Sequence, residues 1–331
     1  MHILGLACGS PNGNSEILLK AALKAAQEKV SGTTVSFIRV PDLSIPSFPM
    51  STTFDPSLGK AIPTSLRGPL QGPQSDDRPR VLNRILESDA LIIASPIYTR
   101  QPPGILKYFC DKTLGPFVDA AHIRHAIKKK AAGDPRFANL APDERVLKPR
   151  AAGFIAVGGA FSPEWVTFGL PLLHQCVFSL HAKVIDQMQA IGQPLPGSVL
   201  LGGDTGMVGR AKKLGENIAT QLGLTYDEAQ YLGEEGACPY CHLNMVVLNR
   251  TTDYAAECAV CGAKGQLTVG ADGKLALAVD YTEITSIVTM EGKQRHLSEI
   301  NDEDGTIRNK LRDIQRERDW YDQLGKDMME S

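Results

Sequence analysis

Two C-x2-C cysteine pairs are the residues whose spacing most clearly indicates chemistry in this chain. Cys238 and Cys241 form the first pair, and Cys258 and Cys261 form the second pair after sixteen intervening residues. Four thiolates presented by two such turns surround a metal ion tetrahedrally, and this spacing is typical of structural zinc sites. The sequence therefore predicts a zinc site with these four cysteines as ligands.

Two other uses of these cysteines remain open from the sequence. The string CPYC also occurs as a redox-active pair at the start of a helix, but the residues that follow it, HLNMVVL, are typical of a strand. An iron ion held by the same four sulfurs could relay electrons. Only Cys261 is followed by the glycine expected in such iron-binding turns, since His242 follows Cys241. The sequence therefore favours zinc.

Residues 8–16, CGSPNGNSE, form a polar loop between an apolar run and an amphipathic stretch. Backbone N–H groups at the start of a helix lack partners and attract an anion. Four side chains could donate further hydrogen bonds to a phosphate, namely those of Ser10, Asn12, Asn14 and Ser15. The loop contains neither G-x-G-x-x-G nor G-K-[ST], so a single terminal phosphate such as that of FMN fits it best. By itself the loop is also compatible with an ordinary capped turn.

The elements that must position these residues alternate between two sequence patterns. Near-continuous apolar runs, typical of buried parallel strands, occur at residues 2–7, 34–40, 90–94, 153–158 and 183–191. Amphipathic stretches typical of helices occur at residues 15–29, 79–87, 102–112, 163–181 and 208–221. This alternation predicts a doubly wound α/β fold with a five-stranded parallel sheet.

Two insertions and a change of composition divide the chain further. Residues 45–77 and 120–150 are long insertions, and we expect them to be lids over a ligand. Short strands with a turn at residues 271–273 follow the α/β part, and a charged helix is expected at about residues 306–329. The predicted domains are residues 1–225 (the doubly wound α/β domain), 226–295 (a zinc-ribbon-like β module) and 296–331 (the C-terminal charged helix).

Charge and cysteine content exclude several classes of protein. The chain has 35 Lys and Arg against 37 Asp and Glu, a net charge of −2, so no overall field favours nucleic acid or an anionic membrane. No apolar window is long enough for a membrane helix and no leader pattern is present. Seven cysteines, four of them in a metal pattern, indicate reduced thiols. We therefore expect a soluble, cytoplasmic protein that binds neither nucleic acid nor membrane.

A second loop, SPIYTRQPPG at residues 95–104, completes a familiar pattern. Together with GSPNGNSE, the stretches SDALIIASPIYTRQPPGILKYFCDK, KPRAAGFIAVGGAFSPEW and DTGMVGRAKKLGENIA make residues 1–223 resemble the NADPH-dependent FMN reductase and iron–sulfur flavoprotein group of flavodoxin-like proteins. The loop lacks the Arg or Lys often found in that group after Gly-Ser-Pro. The group's compact cysteine cluster is also absent from the segment PDLSIPSFPMSTTFD, which excludes an iron–sulfur cluster there.

This resemblance implies a function and a set of site residues. Ser10, Asn12, Asn14 and Ser15 would bind the FMN phosphate; Pro96, Ile97, Tyr98 and Thr99 would line the flavin ring; Gly158 and Gly159 would approach its far edge. The activity would be that of an FMN-dependent NAD(P)H oxidoreductase with a small acceptor: a quinone, a nitro or other aromatic compound, or free flavin passed to a monooxygenase. Tyr98 is the side chain most suited to a catalytic role. A homodimer or homotetramer would be typical.

Other interpretations stay open at this stage. A non-enzymatic FMN electron carrier that docks a protein partner through its zinc ribbon would use the same residues. The basic stretch at residues 122–130 could bind the extra phosphate of NADPH. Such a stretch more commonly forms the solvent-exposed face of a helix. His174 and His181 are expected on one face of the 163–181 helix, in packing or interfacial roles.

Overall fold

The structure is a computed structural model that describes residues 1–46, 54–55, 60–61, 76–114, 118–249, 254–282 and 284–329. Most of the insertion at 45–77 therefore lies outside the described residues. The strands are β1 (His2–Ala7), β2 (Thr34–Arg39), β3 (Phe54–Asp55), β4 (Lys60–Ala61), β5 (Ala90–Ile97), β6 (Arg150–Gly158), β7 (Ala182–Ala190), β8 (Val246–Leu248), β9 (Ala256–Cys258), β10 (Lys264–Val269) and β11 (Leu275–Val279). The helices of five or more residues are α1 (Asn14–Lys29), α2 (Arg78–Glu87), α3 (Gly104–Phe109), α4 (Ala120–Ala131), α5 (Gly169–Leu173), α6 (Met207–Thr220), α7 (Met290–Asp313) and α8 (Gln315–Met329), with a π-helical turn at Cys110–Leu114.

Five parallel strands form the central sheet in the order β2-β1-β5-β6-β7. The sheet has helices on both faces, as the near-continuous apolar runs predicted. Helices α1 and α6 pack on one face, and α2, α3 and α4 pack on the other. A Cβ at Gly215 would lie 1.9 Å from the carbonyl oxygen of Ala22, so the close contact of α6 with α1 requires glycine there. The flavodoxin-like doubly wound fold is confirmed.

The expected single helix at residues 163–181 is wrong. The structure has a 3-10 turn at Pro163–Trp165, the short helix α5 and a second 3-10 turn at His174–Cys176. Pro171 lacks an N–H and is tolerated only in the first turn of a helix, so α5 begins at Gly169 rather than running on from residue 163. His181 lies beyond these turns, and the two histidines do not share a helix face.

The expectation that residues 120–150 form a lid is also wrong. This insertion begins with α4, and Ile123, Phe137 and Val146 are buried in the core on the α2–α3–α4 face of the sheet. Apolar side chains at these positions bury more surface in the core than they could over a solvent-filled cavity. The insertion thickens one layer of the fold, and its basic stretch at residues 122–130 lies on α4.

A small antiparallel sheet follows α6, in the order β11-β10-β9-β8. Its turn at residues 271–273 closes the β10–β11 hairpin, as the sequence predicted, and Gly273 has a φ of +79°. The core of this sheet contains the four paired cysteines together with Leu243, Leu277 and Val288. The module covers the β7 side of the central sheet, since Gln187 of β7 donates to the carbonyl oxygens of Cys241 and His242 at 2.9 and 3.1 Å.

A buried ion pair ties β7 to α6. Asp186 is fully buried, and its carboxylate accepts from the Arg210 guanidinium at 2.5 and 3.0 Å. Asn217 donates to the same carboxylate at 2.8 Å and to the carbonyl oxygen of Leu232 at 3.1 Å. Because a buried charge is stable only when paired and hydrogen-bonded, these contacts fix the edge strand, its neighbouring helix and the chain leading into the small sheet.

The C-terminal helices begin earlier than the sequence predicted. Helix α7 starts at Met290 rather than near residue 306, because the Thr289 hydroxyl caps it by accepting from the Gly292 N–H at 3.0 Å. Leu297 is buried, and the first turns of α7 contact α4. Helix α8 follows after Ile314. None of the described helices is both long and apolar enough to cross a membrane.

Candidate functional site

A cavity of about 510 Å³ opens at the carboxyl ends of β1, β5 and β6. Open α/β sheets bind ligands at this edge. Four loops line it: Gly9, Ser10, Gly13, Asn14 and Ser15; Pro96, Ile97, Tyr98 and Thr99; Val157, Gly159, Ala160, Trp165 and Val166; and Gln193, Pro194, Leu195 and Pro196. Tertiary structure thus brings most of the predicted flavin-site residues together, whereas Asn12 and Gly158 are not among the lining residues.

The end of the cavity at α1 is built to receive an anion. Asn12 has a φ of +54°, and the Gly13 N–H donates to the Ser10 carbonyl oxygen at 3.0 Å, which closes a tight turn. The first intrahelical bond of α1 is from Ile17 to Gly13, so the N–H groups before it lack helical acceptors. Within the described chain the hydroxyls of Ser10 and Ser15 also have no hydrogen-bond partner. These donors and the helix dipole together favour a phosphate.

Asn14 has a different role from the other polar residues of this loop. Its amide nitrogen donates to the carbonyl oxygens of Gln193 and Leu195 at 3.2 and 2.9 Å, and its amide oxygen accepts from the Gly197 N–H at 2.8 Å. Both ends of the side chain are therefore engaged by the loop after β7. Asn14 holds that loop over the cavity and lines the site through this clamp.

The loop after β5 has an unusual backbone. Thr99 and Arg100 both have positive φ, +49° and +73°, although neither is glycine. Tyr98 and Gln101 exchange two backbone hydrogen bonds, which closes the turn. The Arg100 guanidinium donates to the Thr167 hydroxyl at 2.9 Å and lies 4.7 Å from the centre of the Phe168 ring. These contacts of Arg100 join the loop that carries Tyr98 to the loop that carries Trp165.

The two glycines after β6 differ in their surroundings. A Cβ at Gly158 would lie 2.2 Å from Val166 Cγ1, whereas Gly159 lines the cavity and a Cβ there would lie 3.3 Å from Pro194 Cα. The absence of a side chain at Gly158 therefore allows Val166, which lines the cavity, to pack closely against the end of β6. The sequence-based list of site residues omitted Trp165, Val166 and residues 193–196. The signal for the last group was their position after the fifth strand, at the same sheet edge.

The electrostatic character of the cavity is simple. Among the residues described, none that lines it carries an Asp, Glu, Lys, Arg or His side chain, and Tyr98 is the one with an ionisable group. The loops after β5 and β6 contribute exposed aromatic side chains to the cavity, since Tyr98 and Trp165 line it and are 59% and 57% exposed. A ligand with one anionic end and one flat apolar end matches this distribution.

The four paired cysteines meet in one buried cluster. Their Sγ atoms all lie within 4.8 Å of one another, with 3.6 Å between Cys238 and Cys261 and 3.5 Å between Cys241 and Cys258. A tetrahedral zinc with Zn–S bonds of about 2.3 Å requires S–S separations of about 3.8 Å. The cluster therefore fits a zinc ion, and a redox pair confined to Cys238 and Cys241 does not account for the other two sulfurs.

The turn after each cysteine pair has the same backbone conformation. Gly262 has a φ of +72°, and His242 has a φ of +57° although it has a side chain. The His242 ring stacks on Tyr231 with 3.7 Å between ring centres, and its Nδ1 lies 2.7 Å from a Glu235 carboxylate oxygen. These contacts stabilise the left-handed conformation, so the absence of glycine after Cys241 does not distinguish zinc from iron.

His174 and His181 pack within the protein, and neither lines the cavity. His174 is fully buried, its ring centre is 4.7 Å from that of Phe154, and its Nε2 lies 2.9 Å from the Gln187 amide oxygen. Burial lowers the pKa of His174 to about 4, so the ring is neutral at pH 7. His181 stacks on Tyr226 with 4.8 Å between ring centres. The expected packing roles are confirmed.

The other three cysteines lie in the core. Burial raises the pKa of the Cys8 thiol to about 12, and the Sγ atoms of Cys110 and Cys176 are 3.1 Å apart. That separation is longer than the roughly 2.05 Å of a disulfide. All three are free thiols.

Comparison with known proteins agrees with this geometry. A family model described as NADPH-dependent FMN reductase matches residues 1–192. The chain is similar to the flavone synthase cfoJ of Aspergillus candidus, with 41% identity over 304 residues that cover 91% of this chain and 88% of that protein. It is also similar to the solved structure of a flavone reductase, with a TM-score of 0.75, 26% identity, and coverage of 99% of this chain and 97% of that one. With more than half of its length matched by the family model and a cavity suited to a mononucleotide, the chain belongs to the NADPH-dependent FMN reductase family and is a flavin-dependent oxidoreductase.

Proposed function

We propose that the protein passes reducing equivalents from NAD(P)H through FMN to a planar aromatic acceptor of the flavone type. The observation that carries this proposal is the cavity itself. It has helix N-terminal amides and unpaired serine hydroxyls at one end, and aromatic walls without charge at the other. FMN, when bound, supplies a two-electron carrier between a nicotinamide and the acceptor.

The residues proposed to hold FMN follow from the two ends of the cavity. The hydroxyls of Ser10 and Ser15 and the first N–H groups of α1 would bind the phosphate, with Asn12 at the turn and Asn14 as the clamp. Pro96, Ile97, Tyr98 and Thr99 would line the ring on one side, and Gly159 on the other, with Gly158 behind it. No cation among the described lining residues neutralises the phosphate, so the hydrogen-bond donors and the helix dipole must do so.

Two observations support the proposed class of acceptor: the aromatic side chains that line the cavity, and the names of the two similar proteins. Tyr98 and Trp165 offer flat apolar faces at the open end of the cavity, and aromatic pairs favour stacked or edge-to-face contact with a planar ligand. The two similar proteins are named as a flavone synthase and a flavone reductase, so a flavone is the product in one name and the substrate in the other. A carbonyl-conjugated double bond in a flat ring system is therefore the bond proposed to be reduced or formed.

The experiment that tests this function follows the flavin absorbance in two anaerobic steps. NADPH or NADH should bleach the flavin band, and a flavone should restore it, with a product two mass units heavier. Restoration by a protein partner, with no turnover of any flavone, quinone or nitroaromatic compound, would instead favour the electron-carrier function. The comparison of NADPH with NADH also decides the choice of nicotinamide.

Tyr98 is proposed to supply the proton that reduction of such a double bond requires, because it is the ionisable side chain among the described residues that line the cavity. We expect Tyr98→Phe to lower kcat for acceptor reduction by about 100-fold, the lower end of the range for general acid catalysis. The anaerobic rate of flavin reduction by the nicotinamide should change little. Stopped-flow measurement of the two half-reactions separates them.

The matched control for this variant is Tyr281→Phe, which removes an exposed tyrosine hydroxyl on the small β module. It should leave both half-reactions unchanged. A Tyr98→Phe protein that reduces the acceptor at the original rate would show that the proton comes from another source.

We expect the double variant Ser10→Ala, Ser15→Ala to weaken FMN binding by about 100-fold. Each hydroxyl would contribute a hydrogen bond to a charged group, worth roughly 1.5 kcal/mol or more. The dissociation constant is measured by the quenching of flavin fluorescence on titration. Ser36→Ala, on the outer strand β2, removes a hydroxyl that contacts His2 and should leave FMN affinity unchanged. Equal flavin affinity in the double variant would contradict the phosphate assignment.

The cysteine cluster is proposed to bind one structural zinc ion. Its closed, buried set of four sulfurs leaves no open position for a substrate, which favours a structural over a catalytic site. Iron in the same site remains the alternative that metal analysis decides. We also propose that the working assembly is a homodimer or a homotetramer, since oligomers are typical of the family. A monooxygenase or another electron-transfer protein could in addition receive the reducing equivalents.

A further inference from the structure

Cys110 and Cys176 are two thiols in direct contact that the proposed function does not use. Their Sγ atoms are 3.1 Å apart, so an approach of about 1 Å would bring them to the length of a disulfide bond. The π-helical turn Cys110–Leu114 and the 3-10 turn His174–Cys176, which carry them, contact each other. A small movement therefore separates the reduced pair from a disulfide.

The two thiols differ in their access to solvent. Cys110 lines a second cavity of about 700 Å³, which lies between α3, α7 and the small β module and shares no described lining residue with the flavin cavity. Exposed side chains such as Lys107 and Arg295 also line it, so solvent can enter. Cys176 is fully buried and is not among the described lining residues. Small reagents can thus reach Cys110 but not Cys176.

The surroundings of the pair give the two sulfurs different roles. The hydrogen bond with Cys110 and burial raise the pKa of the Cys176 thiol well above its ordinary value, so Cys176 keeps its proton. The π-helical turn that begins at Cys110 is a rare conformation that is frequent at functional sites. An accessible thiol with a second thiol beside it is the usual arrangement of a redox-sensitive pair. Cys110 is therefore the sulfur that an oxidant meets first, and Cys176 is the resolving thiol.

A bond between these sulfurs would connect two walls of the flavin cavity. Cys110 follows α3, which begins after the loop that leaves β5, and Cys176 follows α5, which begins after the loop that leaves β6. Both loops line the flavin cavity. The Phe168 N–H donates to the Arg100 carbonyl oxygen at 3.1 Å, so the two loops are already joined by a non-covalent contact. The disulfide would add a covalent link between the same two segments.

We propose that hydrogen peroxide converts Cys110 and Cys176 into a reversible disulfide that links the two loops lining the flavin cavity. Cys110 Sγ first attacks one peroxide oxygen; the O–O bond breaks, the Cys110 thiol proton leaves with the departing oxygen as water, and Cys110 becomes a sulfenic acid. Cys176 Sγ then attacks the Cys110 sulfur; the S–O bond breaks, and the oxygen leaves with the Cys176 proton as a second water. The two sulfurs together lose two electrons, and the peroxide accepts them.

The first experiment treats the flavin-loaded protein with hydrogen peroxide, blocks the remaining thiols and digests it with trypsin. Trypsin releases Cys110 in residues 108–112 and Cys176 in residues 151–183, and neither peptide has another cysteine. Mass spectrometry should find the two peptides joined, two hydrogen atoms lighter than their sum, and separate after dithiothreitol. Blocked thiols in both peptides, or a bond from Cys110 to Cys8, would overturn the proposal.

The second experiment tests the order of the two steps with dimedone, which traps sulfenic acids. In Cys176→Ala the sulfenic acid cannot be resolved, so residues 108–112 should carry the dimedone adduct after peroxide treatment. Cys110→Ala is the matched control, and its residues 151–183 should stay unmodified because peroxide does not reach Cys176. An adduct on Cys176, or none on Cys110, would contradict the assigned roles.

The third experiment measures what the bond does to the fold and to the flavin cavity. The bond joins residues 66 positions apart, and closing a loop of this length should raise the thermal midpoint by about 5 °C. FMN should also leave the oxidised protein several-fold more slowly, because the two loops must separate to release it. This last expectation rests on the proposed FMN site, whereas peptide mass and thermal midpoint do not depend on it.

Peroxide-treated Cys176→Ala is the control for both quantities, and it should keep the thermal midpoint and the FMN release rate of the reduced protein. A disulfide that forms without slowing FMN release would overturn the link to the cavity. A protein that binds no FMN in either state would contradict the proposed function, and the joined peptides would still establish the disulfide.

Discussion

Cys241→Ser is expected to remove the metal from the small β module and to unfold that module. Four thiolates contribute to a structural zinc site, and binding free energies of about 10–16 kcal/mol are typical for such sites in isolated peptides. Among the described residues, the buried core of the module consists of the four cysteines and five small or medium apolar side chains, including Leu243, Leu277 and Val288. A core this small lacks the buried apolar area to fold without a metal.

Three measurements check this expectation on the purified protein. Metal analysis should fall from about one zinc per chain toward zero, proteolysis should cut within residues 237–282, and the thermal unfolding curve should acquire an early transition. Cys176→Ala is the matched control, because Cys176 is equally buried but lies in the main core. A Cys241→Ser protein that resists proteolysis as the original does would contradict a structural metal.

The effect should also reach the flavin cavity. Gln187 of β7 donates to the carbonyl oxygens of Cys241 and His242, and the chain after β7 supplies Gln193, Pro194, Leu195 and Pro196 to the cavity. Loss of the module would expose an edge strand that it now covers. We therefore expect weaker FMN binding in Cys241→Ser, although no cysteine of the cluster lines the cavity.

Arg210→Met is expected to lower the free energy of unfolding by about 3 kcal/mol. Asp186 is fully buried, and the substitution would leave its carboxylate with only the Asn217 amide as a polar side-chain partner. Removing one member of a buried ion pair costs about 3–5 kcal/mol, because the remaining charge is uncompensated. We expect the lower end of this range because the Arg210 side chain is 26% exposed, so the ion pair is only partly shielded from solvent.

Urea unfolding followed by circular dichroism measures this change. Lys213→Met is the control on the same helix, since Lys213 is an exposed cation 4.0 Å from Glu216, and it should change the unfolding free energy by less than about 0.5 kcal/mol. The double variant Asp186→Asn, Arg210→Met should regain part of the loss, because the buried charge is then absent. Equal stability of Arg210→Met and the original protein would show that solvent reaches Asp186.

Much of the main fold could be predicted from local patterns. The five strands follow from apolar runs that are continuous because both faces of the sheet are covered. The proposed phosphate end of the site rests on Ser10 and Ser15 at a strand-to-helix loop, and the proposed metal site rests on the spacing of four cysteines. Each of these signals lies within about thirty residues of sequence, so no knowledge of distant contacts was required.

The elements that were predicted wrongly depend on distant contacts. Residues 163–181 have a helical pattern, but Pro171 and packing break them into short turns. Residues 120–150 were expected to be a lid because they lack a regular pattern, yet their apolar side chains are buried in the core. Helix α7 starts sixteen residues earlier than predicted because of a cap and contacts with α4.

Residue types at short spacing were enough to predict the five strands of the central sheet, the polar loop between β1 and α1, and the four cysteines that cluster in the small β module. Three contacts are visible only in the folded chain: Asn14 holds the loop after β7, Arg100 joins the Tyr98 loop to the Trp165 loop, and His242 stacks on Tyr231 in a left-handed conformation. The physical reason is that these contacts join residues 11 to 181 positions apart in the chain. Whether these contacts form depends on how the sheet and the helices on its faces bring distant segments of the backbone together. A local sequence pattern does not contain that information.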